Sequence, residues 1–228
     1  MRQPHEESPL NPLPPVVMLL ALAVVGVEFA LQLGKYGLIG GPDAVGWRVG
    51  LMLRFGVIGQ VFDAMWLTGQ WPLEQLARLV VYPFIHGSFT HAIFAVVFIL
   101  ALGNMVSRVF SPLAVLAVFF GSSLVAGAVY AAALNTPLAL IGAFPGAYGL
   151  IGAFSFLLWV QLAATGGPQS QAFTLIAFLM GIQLLFGLIF GGGLDWVADL
   201  VGFVAGFGLS FLVSPGGWAR VMNKLRQR

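Results

Sequence analysis

Along most of this chain polar side chains arrive singly, between apolar stretches too long for a buried helix of a small soluble domain. The first apolar stretch runs from about Pro15 to Leu33, behind prolines that stop any earlier helix. Five more follow, over about 80–107, 111–133, 138–164, 172–190 and 194–214. Turn-forming breaks separate them: Ser111-Pro112, Asn135-Thr136-Pro137, Gly166-Gly167-Pro168 and Gly191-Gly192-Gly193. A membrane-crossing helix needs ~20 apolar residues. The pattern therefore predicts an all-α membrane protein of six transmembrane helices, with short connections that make sequence neighbours antiparallel.

One region departs from the pattern. Residues 34–79 carry Lys35, Asp43, Arg48, Arg54, Asp63 and Glu74, interleaved with Trp47, Trp66 and Trp71. This is too polar to cross, and its tryptophans suit the headgroup layer. A long first external loop containing interfacial helices is expected. The flanks complete a three-part organisation: a cytosolic leader over 1–14, the membrane domain over 15–214, and a basic cytosolic tail over 215–228.

Composition sharpens the class. Hydrophobic residues make up 59% of the 228 positions and charged residues 8%, and mean hydropathy is +0.96. A soluble domain carries roughly 25% charged residues. The net charge of +2 gives no basic surface for nucleic acid. With no cysteine and three histidines, neither a disulfide nor a metal site is expected, and no cofactor motif is present. Arg108 and the tail's Arg220, Lys224, Arg226 and Arg228 fall on one side of a six-span layout, which puts both termini in the cytoplasm. An alanine-, glycine- and valine-rich chain with short loops suits a bacterial inner membrane.

Against this apolar background the candidate functional residues are few. Glu28, His86, His91 and Asp199 are ionisable groups placed at membrane depth, and Arg78 borders the second span. The five-residue spacing of the histidines puts them on different faces of a helix, so a capping or loop-anchoring role is the plain expectation for each. Glycines four apart, Gly142 with Gly146, Gly187 with Gly191 and Gly202 with Gly206, are expected to let helix backbones approach closely.

Three segments, read together, resemble the rhomboid family of intramembrane serine proteases. ARLVVYPFIHGSFTH is similar to the family's Trp-Arg pair followed by His-Gly-Ser-x-x-His, with Arg78, His86 and His91 retained and Ala77 in place of tryptophan. The resemblance gives His91 the place that helps bind the oxyanion. It puts Ala95 where the family has an asparagine, and Ser107 where many members have a glutamate. GAFPGAYGLIGAF is similar to the Gly-x-Ser-Gly motif, with Gly142 and Tyr148 matching and Phe144 at the nucleophile position. ADLVG is similar to Ala-His-x-x-Gly, with Gly202 and Gly206 retained and Asp199 at the position of the general base.

The resemblance implies a six-helix rhomboid-like bundle whose nucleophile, base and one oxyanion residue are all replaced. Phenylalanine has no hydroxyl, so no acyl-enzyme can form at position 144. Phe144 is expected to fill the space beside Tyr148, and Pro145 removes one backbone N–H from the turn. The implied function is that of inactive relatives such as the iRhoms and derlins: binding, retaining or assembling partner membrane proteins through transmembrane helix contacts. Three alternatives stand beside it. One is an active protease with another serine, Ser88, Ser122 or Ser123, as nucleophile. Another is a small transporter relaying protons or cations through Glu28 and Asp199. The third is a permanent accessory subunit of a membrane complex.

Overall fold

The computed structural model of the protein describes residues 13–134 and 136–216. The leader before residue 13 and the basic tail beyond residue 216 lie outside the described residues. Helix α1 (Pro15–Lys35) is the first crossing. Loop 1 then carries a 3-10 turn (Pro42–Gly46) and three short helices, α2 (Trp47–Phe55), α3 (Gly59–Thr68) and α4 (Leu73–Val81). The other crossings are α5 (Phe89–Ser107), α6 (Pro112–Ala133), α7 (Phe144–Thr165), α8 (Thr174–Phe190) and α9 (Asp195–Val213). A 3-10 turn at Gln169–Phe173 leads into α8, and among the described residues six segments are long and apolar enough to span a membrane.

Two crossings start later than their apolar runs. The second begins at Phe89, not near residue 80, because LVVYPFI is split by a 3-10 turn at Tyr82–Phe84 that contains Pro83. Ser88 then caps α5, its hydroxyl accepting from the His91 N–H at 3.1 Å. Tyr82, Ile85 and His86 are apolar or weakly polar because they are buried in protein, which hydropathy alone does not distinguish from burial in lipid. The fourth crossing begins at Phe144 rather than 138. Before it, Leu140 pairs with Val57 of loop 1 through two backbone hydrogen bonds of 3.0 and 2.9 Å. Loop 1 is thus stitched to the bundle, and within the loop Arg78 of α4 donates to the carbonyls of Leu53 (2.9 Å) and Gly56 (2.7 Å).

The centre of the bundle is α7, packed most closely against α9 and then against α6 and α5. Glycine makes that approach possible. A Cβ on Gly202 would overlap the Pro145 carbonyl, one on Gly206 the Gly149 carbonyl, and one on Gly152 the Phe203 carbonyl. Gly146 abuts Phe119 and Ser123 of α6 in the same manner. Gly187 and Gly191 do not serve this purpose: Gly187 faces only the following Gly192, and Gly191 ends α8 with φ +76°. Helix α8 is the least embedded crossing, with Ile176 and Met180 its buried residues.

Candidate functional site

The start of α7 sits at the junction of three motifs. Gly142 holds φ +94°, a conformation that favours glycine, and its N–H bonds to the Tyr82 carbonyl at 3.0 Å. A side chain there would also meet the His91 ring at 2.8 Å and the His86 ring at 3.4 Å. The chain therefore turns directly under both histidines before entering α7 at Phe144. Pro145 occupies the second helical position, where its missing N–H costs the helix nothing.

His86 and His91 do come together, although one helical face could not have held them. His86 lies in the loop ahead of α5 and His91 in the helix, so the helical spacing rule does not govern the pair. Their rings meet edge to face with centroids 5.1 Å apart. His86 is 1% exposed, and its Nε2 accepts from the Ala143 N–H at 3.2 Å, anchoring the turn into α7. Burial, aided by the neighbouring His91, lowers the His86 pKa from 6.5 to about 4.

That shift sets a pH dependence. The folded protein holds His86 neutral while the unfolded chain protonates it near 6.5, so its contribution is complete above that value. It is lost as pH falls from 6.5 towards 4. The denaturation temperature in detergent is expected to drop by several degrees across this window. Replacing His86 with glutamine, which can still accept from Ala143, should flatten that slope.

Phe144 lies on the same cavity as Tyr148 and leaves part of it open. Its ring lies parallel to that of His91, with centroids 5.1 Å apart and an 8° interplanar angle, and meets Phe98 edge-on. The phenyl thus occupies the face of His91. Ala95, one turn beyond His91 on α5, is fully buried. A cavity of about 350 Å³ remains between α7, α8 and α9, walled by His91, Phe144, Tyr148, Gln183, Asp195 and Asp199 among others. None of its lining residues is a serine, threonine or cysteine.

Asp199 faces this cavity from α9, at 3% exposure. Gln183 of α8 donates to its Oδ2 at 2.7 Å, and the Tyr148 hydroxyl donates to Gln183 Oε1 at 2.9 Å. The chain Tyr148–Gln183–Asp199 joins three crossings by side-chain hydrogen bonds. Gln183 was not singled out in the sequence, yet it is one of two polar residues in α8, and an amide in an apolar span needs a partner. Chemically this corner offers a hydrogen-bond acceptor and aromatic faces, without a nucleophilic hydroxyl beside the carboxylate.

Glu28 belongs to a separate network. Its Oε1 and Oε2 accept from Arg48 Nη2 (2.7 Å) and Nη1 (2.9 Å), and Gln32 donates to Oε1 at 2.6 Å. Arg48 Nη1 also donates to the His86 carbonyl at 2.6 Å, so α1, α2 and the histidine loop share one ion pair. Two of the alternative serines are engaged elsewhere, and the third is sealed between helices. Ser88 caps α5 and Ser123 donates to the Phe119 carbonyl at 2.8 Å. Ser122 is fully buried in the α6 face that meets Gly149.

Comparison with known proteins agrees with this architecture. Residues 73–216 match the family model for the Rhomboid domain. The chain is 26% identical over 138 residues to Rhomboid-like protease 1 of Toxoplasma gondii, covering 60% of this chain and 47% of that one. It spans about half the length of this curated relative. With the family match extending over more than half of its length, from α4 to the end of α9, the chain belongs to the rhomboid family.

Proposed function

We propose that this integral membrane protein binds, retains or assembles other membrane proteins through transmembrane helix contacts, without hydrolysing them. The observation that carries this reading is the stacking of Phe144 on His91, at the position where the family's resemblance calls for serine. Acyl transfer needs a nucleophile beside its base and beside oxyanion donors. Here the position has a phenyl ring, Pro145 has no N–H to donate, and Asp199 already accepts a hydrogen bond from Gln183. The fold and the buried scaffold positions Arg78, His86, Gly202 and Gly206 are kept. A weakly embedded α8 leaves apolar surface that suits contact with another helix. The charges around Arg108 and in the tail favour cytoplasmic termini, and the alanine-, glycine- and valine-rich composition suits a bacterial inner membrane.

The test is reconstitution in liposomes with a single-span reporter protein. The reporter is expected to remain intact while co-isolating with the protein after mild detergent extraction. Cleavage of the reporter that stops when Ser88, Ser122 or Ser123 is replaced would instead establish a protease with a displaced nucleophile. Co-isolation at fixed stoichiometry from native membranes would select a permanent subunit over a transient binder.

A further inference from the structure

Resting on that binding reading, we propose that the cavity between α7, α8 and α9 is a receptor for a basic side chain carried by a partner's transmembrane segment, with Asp199 as its counter-ion. A carboxylate at membrane depth is costly unless paired with a cation or with water. The other intramembrane acid, Glu28, has its guanidinium in Arg48. Asp199 has none: among the described residues the ion pairs are Arg48–Glu28 and Arg54–Glu74. Its one side-chain hydrogen bond among them comes from the neutral amide of Gln183. The acid is 3% exposed, yet it borders about 350 Å³ of open space. The shape of the corner leaves room for what the charge requires.

The walls suit a lysine or arginine better than they suit a small hydrated cation. Phe144 and Tyr148 line the cavity with aromatic rings, whose electron-rich faces attract a cation. Leu179 and Ile182 offer apolar surface for the alkyl stem. A second hollow of about 600 Å³, between the end of α8 and the start of α9, shares Gln183 and Asp195 with the first. Asp195 stands in the first turn of α9, one turn before Asp199, so the two carboxylates follow one another along that helix and both line the first hollow. The acid at the family's histidine position thereby gains a use of its own. It selects partner helices carrying a basic residue about one turn inside the membrane, and the paired charge offsets the cost of burying each alone.

Fluorescent apolar helical peptides of about 20 residues test this in liposomes holding the whole protein. One peptide carries a single lysine one turn inside its end, and its control carries norleucine there. Energy transfer from a labelled protein should report about tenfold tighter association of the lysine peptide. The preference should vanish with Asp199→Asn, which keeps size and can still accept from Gln183, and should persist in part with Asp195→Asn. Equal association of the two peptides with the unaltered protein would overturn the proposal while leaving helix binding intact. So would a preference that survives Asp199→Asn. Failure of both peptides to associate would overturn the binding reading as well, and their cleavage would replace it with proteolysis.

Discussion

Replacing Glu28 with alanine is expected to destabilise the protein by about 3 kcal/mol, the cost typical of breaking a buried ion pair from one side. The Glu28 side chain is 5% exposed and that of Arg48 18%, so the charge left behind is largely shielded from bulk water. Arg48 would keep only its hydrogen bond to the His86 carbonyl, and that bond would then hold an uncompensated charge. Because the same guanidinium ties α1, α2 and the histidine loop, the loss should spread to the turn beneath Gly142. A fall of roughly 10 °C in denaturation temperature in detergent is the readout. Arg48→Lys should rescue little, since one ammonium cannot span both carboxylate oxygens and the carbonyl in the same geometry. Glu28→Leu combined with Arg48→Met should recover much of the loss, because the penalty lies in the orphaned charge. A Glu28→Ala variant as stable as the parent would refute this account of the network.

The second large effect is at the α7–α9 crossing. Gly206→Val is expected to cost about 3 kcal/mol or more, at the upper end for overpacking. The obstacle is the Gly149 carbonyl, part of a helical backbone that cannot rotate aside as a side chain would. Separation of α7 from α9 would also move Asp199 away from Tyr148 and Gln183, so the cavity should lose its hydrogen-bonded chain together with stability. Gly208, two residues on in the same helix, supplies the control. Nothing lies within 4 Å of a Cβ there, and Gly208→Ala should be neutral or slightly stabilising through helix propensity. Equal melting temperatures for Gly206→Val and Gly208→Ala would contradict the close-approach account.

These two sites differ in how far the sequence revealed them. Gly202 and Gly206 were legible as a pair of small residues four apart, a spacing that lets membrane helices approach closely, although Gly187 and Gly191 share it without doing so. The six crossings were equally legible from apolar length. The start of α5 was not, since Tyr82 and Ile85 are as apolar as lipid-facing residues while being buried in protein. Glu28 was visible as a costly intramembrane acid, but its partner stands 20 residues away in a loop whose arginines looked like ordinary topological charges. The pairing of the histidines was hidden for a related reason. Helical spacing does not govern His86, because the chain breaks away from the helix there before α5 begins at Phe89. The motifs did bring Phe144, Tyr148 and Asp199 to one corner, as the family register implies. What they could not supply was Gln183 or the open cavity, because both depend on where α8 comes to rest.

A fluorophosphonate probe reads the chemistry at position 144 directly. Such a probe forms a covalent bond with a serine only when the hydroxyl is activated by a nearby base. The purified protein in detergent is expected to show no labelling above that of heat-denatured protein. Replacing Phe144 with serine and Asp199 with histidine together should produce labelling that either change alone does not. Stoichiometric labelling of the unaltered protein, lost on replacing one of its own serines, would show that an active serine protease has been retained and would contradict the account.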